Sequence, residues 1–132
     1  MVSARPPRWY PAAALIYGAI LLGWLTPEEN GVVSVSLLGV GASLLMGIGA
    51  YHRLPQSLRH SHFGLPLWGA LIGAGSTLTT ILLMFLKTAL HSHLFPDYPL
   101  FLMLAMLERL SPWALAGALL GAGVSLLKRS LA

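Results

Sequence analysis

The stretch that decides the fold runs from Leu65 to Leu90 and reads LPLWGALIGAGSTLTTILLMFLKTAL. Its one charged residue is Lys87, close to the end. As a helix this stretch is roughly 39 Å long, whereas about 20 apolar residues suffice to cross the hydrocarbon core of a bilayer. It therefore predicts a membrane-spanning helix that tilts or projects from the bilayer.

The whole chain shares this apolar character. Of its 132 residues 56% are hydrophobic and 9% are charged, whereas soluble domains carry about 25% charged residues. The composition excludes a large soluble domain and predicts one all-α integral membrane domain over residues 1–132. The absence of cysteine excludes disulfides and thiolate metal sites. The net charge of +4 is read as membrane topology, so no nucleic-acid partner is expected.

Three more apolar segments complete a predicted bundle of four transmembrane helices, with spans at about 9–25, 32–51, 65–90 and 113–127. The segment 100–110 is too short to cross and is followed by Ser111 and Pro112. It is expected to be a short interfacial or re-entrant helix, with Glu108 and Arg109 at its water-exposed end. The rival interpretation of the first segment as a cleaved signal peptide lacks a small-residue cleavage site.

The positions of the basic residues predict the orientation, because cytoplasmic flanks are enriched in Lys and Arg. With the N-terminus inside, six basic residues are cytoplasmic and two, Lys87 and Arg109, are external. A fifth crossing at 100–110 would reduce this bias to four against four. We therefore expect both termini to be cytoplasmic, in a bacterial-type inner membrane or a photosynthetic one. The six cytoplasmic residues are Arg5, Arg8, Arg53, Arg59, Lys128 and Arg129.

Small residues recur at three- or four-residue spacing on each predicted span and predict close helix packing, within the bundle or against a partner protein. The first span offers Ala14 and Gly18. The string Gly69–Gly75 recurs almost unchanged as Gly117–Gly123, which either marks an inverted repeat or reflects shared Gly/Ala composition. The packing residues expected on the other spans are Gly39, Ser43, Gly47, Gly69, Gly73, Ser76, Gly117 and Gly121.

Polar groups on the third span are the first candidates for chemistry. The hydroxyls of residues 76–80 could bond a neighbouring helix, bond their own backbone or line a polar cavity. Lys87 could reach the interface along its own stem, pair with Asp97 or Glu108, or form part of an anion or substrate site.

The histidines all lie at predicted membrane edges, where imidazole is common at headgroup level. A His-x-His pair binds a metal only if a third ligand converges, so no metal site is predicted. Tetrapyrrole or lipid contact through these edge histidines stays open, and the cofactor is otherwise unknown. The candidate cofactor or ligand contacts are His60, His62, Lys87, His91, His93 and Asp97.

No carboxylate lies in the middle of a span, and no phosphate-binding loop or nucleophile motif occurs, so an enzyme is not expected. We expect a small non-catalytic accessory subunit of a larger membrane complex, packed through its Gly/Ala/Ser faces. A respiratory or photosynthetic complex is one setting that the edge histidines would suit. The alternative is a homo-oligomeric transporter or channel that uses residues 76–80 and Lys87. The expected partners are membrane lipids and other transmembrane subunits or a second copy.

Overall fold

The computed structural model describes residues 6–27, 31–54, 61, 63–91 and 97–131, and these residues are helical with short connections. The helices are α1 (Tyr10–Leu25), α2 (Val32–Arg53), α3 (Gly64–Leu90), α4 (Leu100–Leu107) and α5 (Leu110–Ser130). Helices α2, α3 and α5 are long and apolar enough to cross a membrane, and α1 is a shorter apolar helix of 16 residues. The prediction of an all-helical chain with helices apolar enough to cross a membrane is therefore confirmed for the described residues.

Helix α3 is the centre of the bundle, because α2 and α5 both pack along it and α4 contacts it as well. Both long neighbours run antiparallel to α3. On α2, Gly39 lies against Thr80 and Gly47 lies against Ile72. On α5, Gly117 lies against Gly69 and Gly121 lies against Leu65. Helix α1 packs on α2.

The bundle has two ends, which we call the lysine end and the basic end. The lysine end contains the last turns of α1 and α3, with Lys87, and the start of α2. The basic end contains Arg53 at the end of α2, the first turn of α3, and Lys128 and Arg129 at the end of α5. Large apolar side chains cover much of the outer surface, as expected for helices that face lipid.

Pro112 determines where the last apolar stretch is interrupted. A proline ring clashes with the carbonyl four residues earlier, which here belongs to Glu108, and it cannot donate a hydrogen bond to that carbonyl. Helix α4 accordingly ends at Leu107 and α5 begins at Leu110, with Pro112 inside its first turn. The break therefore precedes the proline, and α5 is longer than the predicted span 113–127.

Helix α4 does not lie across the end of the bundle, which differs from the expected interfacial or re-entrant helix. Residues before α5 contact α3 in the same antiparallel order as α5 does. Trp113 lies against Gly73, and Arg109 lies near Thr77. Further back along the chain, the Tyr98 N–H donates to Thr88 Oγ1. Glu108 and Arg109 themselves have right-handed helical backbone angles, so the chain bends there without turning back. Helices α4 and α5 together run antiparallel to α3 along its length.

Candidate functional site

Lys87 is the most unusual residue of the lysine end, because its side chain is fully buried, with 0% exposed. Its Nζ donates to the carbonyl oxygen of Trp24 at 3.2 Å and lies 4.1 Å from the centroid of the Trp24 ring. The last carbonyls of α1 lack partners within the helix and carry partial negative charge, so this helix end favours a cation. Trp24 thus offers the buried Nζ both a carbonyl and an aromatic face.

His91 lies one turn after Lys87 and fixes the chain that follows α3. Its Nδ1 lies 2.9 Å from Asp97 Oδ2 and 3.2 Å from the carbonyl oxygen of Lys87. Both neighbouring atoms are acceptors, so Nδ1 must carry a proton to bind either of them. Tyr98 is buried, and its N–H donates to Thr88 Oγ1 at 3.3 Å. The start of α4 is thereby tied to the last turn of α3.

The candidate ligands at the membrane edges are only partly described. Lys87, His91 and Asp97 come together at the lysine end, whereas His60, His62 and His93 lie outside the described residues. Within the part of the chain that the structure describes, no three His, Asp or Glu side chains form a group that could hold a metal ion. The described geometry therefore brings the His91 ring and the Asp97 carboxylate together next to a buried lysine.

Hydroxyl groups join α2 to α3 near the middle of the bundle. Ser43 Oγ donates to the Ile72 carbonyl at 2.7 Å, and Thr79 Oγ1 donates to the Gly39 carbonyl at 2.6 Å. Ser76 and Thr80 instead donate to carbonyls of their own helix, at 2.9 and 2.7 Å. Their hydroxyl protons are used within α3, which leaves mainly acceptor lone pairs on this face.

A small cavity of about 50 Å³, lined by both hydroxyl-bearing and apolar residues, lies where α2, α3 and the α4–α5 junction meet. Thr77 is buried on its wall, and its Oγ1 has no hydrogen-bond partner among the described residues. Such a space accommodates one or two water molecules. We name it the hydroxyl cavity, and it is lined by Ser36, Val40, Ser76, Thr77, Thr80, Met106, Arg109 and Trp113.

Glu108 and Arg109, which we name the junction pair, lie next to this cavity and not at an end of the bundle. Thr77, which shares the cavity with Arg109, is the middle residue of the 27-residue α3. Both members of the pair are exposed. The residues expected at a water-exposed helix end thus form an exposed charged pair beside the middle of α3. The usable signal in the sequence is Pro112, four residues after Glu108, which is typical of a kinked helix.

The glycine seam is the contact between α3 and α5. A Cβ added at Gly69 would overlap the carbonyl oxygen of Gly117, and one added at Gly117 would overlap the carbonyl oxygen of Gly69. Gly73 faces Trp113 and Gly121 faces Leu65 in the same way. The two copies of the repeated string therefore meet at their first glycines, Gly69 and Gly117. The packing glycines expected on α2, α3 and α5 are therefore used inside the chain, whereas nothing lies within 4 Å of a Cβ built on Gly18 or Gly123.

The tyrosine seam joins α1 to α2 and differs from the expected small-residue contact. Nothing lies within 4 Å of a Cβ built on Gly18. Instead Tyr10 donates to the Leu45 carbonyl at 3.0 Å, and Tyr17 donates to the Leu38 carbonyl at 2.6 Å. Gly49 and Gly41 leave room on α2 for these two rings.

Comparison with known proteins gives no relative from which a function could be carried over. No known family matches the chain, and neither a curated protein nor a solved structure is significantly similar to it.

Proposed function

We propose that this chain is a small non-catalytic subunit of a larger membrane assembly. The observation that carries the proposal is the exposed junction pair, which lies between two apolar helices. Leu104 and Leu107 on one side and Leu115 on the other are exposed as well, a surface that suits hydrocarbon. Charged side chains at such a depth are costly when they face lipid, and they are commonly paired inside a bundle.

The two charges of the junction pair do not neutralise each other on a helix surface, because adjacent residues do not face each other. The glycine seam and the contacts of α2 with α3 occupy the small-residue faces of α2, α3 and α5 within the chain. A partner helix would therefore cover the junction pair and would supply polar or charged groups of its own. This moves the proposed partner contact from the glycine faces to the α4–α5 junction.

The test is co-purification of the tagged chain from native membranes in a mild detergent, followed by size separation and mass spectrometry of its companions. We expect Glu108→Gln combined with Arg109→Gln to release the chain from its assembly. Arg53→Gln, which removes an exposed arginine at the basic end, is the matched control and should retain the companions. Unchanged companions with the double variant would contradict the proposal.

The same proposal includes four crossings, with α4 and α5 together forming the last one. Placing the N-terminus inside leaves Lys87 as the one Lys or Arg at the external end, because Arg109 then lies at mid-depth, beside the middle of α3. Both termini would be cytoplasmic in an inner or photosynthetic membrane. A cysteine introduced at Ser130 should react with a membrane-impermeant thiol reagent only after the membrane is opened. Labelling in sealed cells would contradict this orientation.

A respiratory or photosynthetic assembly remains the setting suggested by the edge histidines. An absorption spectrum of the co-purified fraction tests it, because a bound tetrapyrrole would give a visible band. A colourless fraction with other companions would remove the tetrapyrrole while leaving the subunit proposal intact.

A second candidate function is a homo-oligomeric transporter or channel. The buried Thr77 hydroxyl beside Arg109, which has no hydrogen-bond partner among the described residues, favours it, because solutes are commonly bound near mid-depth by groups of this kind. The cavity of one chain is too small to form a pathway, so several copies would be needed. Thr77→Val should then abolish flux in proteoliposomes without loss of assembly. Equal flux would exclude the Thr77 hydroxyl from the mechanism.

A further inference from the structure

We infer that the groove between α2, α3 and α5 binds one acyl chain of an anionic phospholipid, whose phosphate lies at the basic end. The groove has a volume of about 370 Å³. Its floor is formed by the close approach of α3 and α5 at the glycine seam. Its walls are apolar side chains, among them Leu44, Trp68, Trp113 and Leu120.

The dimensions of the groove fit a hydrocarbon chain. It extends along α5 from Trp113 to Val124, which is roughly 16 Å of helix. One leaflet of the hydrocarbon core is about 15 Å thick, so the groove has the depth of one leaflet. A helix segment of that length, about 10 Å across, would occupy more than about 1,000 Å³. A helix could thus rest on the groove but could not enter it.

The wall of the groove offers little to a polar ligand. The indole N–H of Trp68 donates to the Gly47 carbonyl at 3.2 Å and is therefore turned toward α2. Ser76 lies at the end of the groove that is farther from the basic end, and its hydroxyl donates to the Ile72 carbonyl of its own helix. The occupant in contact with these walls must accordingly be apolar over most of its length.

The basic end supplies the charge that distinguishes an anionic lipid from a neutral one. Arg53, Lys128 and Arg129 are exposed there, and Val124 of the groove lies about one turn before Lys128. Residues 48–75, which include Arg53, contain no Asp or Glu. Each basic group near a membrane surface favours an anionic headgroup, so the lipid phosphate would be held at this end.

The experiment uses the tryptophans of the groove as reporters. The chain has four tryptophans, and the double variant Trp9→Phe, Trp24→Phe leaves Trp68 and Trp113. This protein is reconstituted in phosphatidylcholine vesicles that contain a small fraction of lipid with brominated acyl chains, because bromine quenches indole fluorescence on contact. We expect brominated phosphatidylglycerol to reach half-maximal quenching at about fivefold lower mole fraction than brominated phosphatidylcholine.

Two sets of variants test the two parts of the site. Ala116→Leu, and separately Val40→Phe, place extra side-chain volume in the groove and should abolish the preferential quenching. Arg53→Gln combined with Lys128→Gln and Arg129→Gln should make the two lipids equally effective. Leu126→Phe changes an exposed residue outside the groove lining and should behave as the parent protein.

Three outcomes would overturn the inference. One is equal quenching by both lipids in the parent protein. Another is a preference that survives both groove-filling variants. The third is the absence of quenching by either lipid, which would mean that a second copy or another helix covers the groove. Helical circular dichroism of each variant verifies that the bundle is folded before quenching is measured.

Discussion

The glycine seam and the tyrosine seam hold helices together in opposite ways. At the glycine seam the backbones of α3 and α5 touch, and the absence of side chains at Gly69 and Gly117 makes the contact. At the tyrosine seam Tyr10 and Tyr17 extend from α1 to carbonyls of α2. In lipid, close backbone packing and interhelical hydrogen bonds are the available stabilising forces. The first kind of contact excludes added atoms, whereas the second kind can adjust through side-chain rotation.

The largest effect should come from enlarging a glycine of the glycine seam. Gly117→Leu would force a side chain into the Gly69 carbonyl and separate α5 from α3, at a loss of about 3 kcal/mol in the free energy of unfolding. Titration with a denaturing detergent, followed by circular dichroism, measures this loss. Gly123→Leu is the control on the same helix, since nothing lies within 4 Å of a Cβ there. Equal losses for the two variants would show that the seam is not a tight contact.

The same chemical change in both seams sharpens the comparison. Gly69→Ala places a methyl group against a backbone carbonyl, so we expect a loss of about 2 kcal/mol. Gly41→Ala places one 2.9 Å from Tyr17 Cε2, and this ring can rotate away. The higher helix propensity of alanine then offsets the strain, and the change should stay below about 0.5 kcal/mol. A loss at Gly41 as large as that at Gly69 would contradict the distinction.

Lys87 provides a third kind of contact, in which a buried cation binds the end of α1. Lys87→Met keeps much of the side-chain volume but leaves the Trp24 carbonyl without its donor, for an expected loss of about 2 kcal/mol. Lys128→Met at the exposed end of α5 should change the free energy of unfolding by less than about 0.5 kcal/mol. Both values come from the same detergent titration. No difference between them would mean that Lys87 contributes no more than a surface lysine.

The smallest effect belongs to a single hydroxyl of the tyrosine seam. Tyr17→Phe removes the hydrogen bond to Leu38 and leaves the ring in place, so the loss should be about 0.6 kcal/mol. Combining it with Tyr10→Phe should roughly double the loss, because the two bonds are about two helical turns apart. A much larger combined loss would indicate that the two hydroxyls act as one unit.

The long apolar helices could be predicted from the sequence because their apolar composition and length suffice to identify them. The place of α4 could not, because an 11-residue apolar segment before Ser111 and Pro112 fits both an interfacial helix and half of a kinked one. Pro112 acts on the carbonyl of Glu108 four residues earlier, and only the contacts with α3 show that the chain continues in the same direction. Spacing alone predicts which residues share a helix face, but not which helix meets that face.

The tyrosine seam illustrates the same limit. Ala14 and Gly18 have the spacing of a packing face, yet Gly18 faces open space, since long side chains elsewhere on α1 make the contact. The burial of Lys87 could not be predicted from the sequence either, because its contact residue Trp24 lies 63 positions away along the chain. From the sequence alone, a lysine near a helix end is predicted to extend to the membrane interface, because its neighbours in space are not known.

The junction pair has a consequence for how the chain enters the membrane during synthesis. An arginine at the centre of a helix opposes insertion through the translocon by about 2.5–3.5 kcal/mol when the helix is alone. The stretch from Leu100 to Ser130 carries Arg109 beside the hydroxyl groups of α3, which is made earlier. We therefore expect α4 and α5 to enter the bilayer as a late unit that depends on α3 being present at the lateral gate.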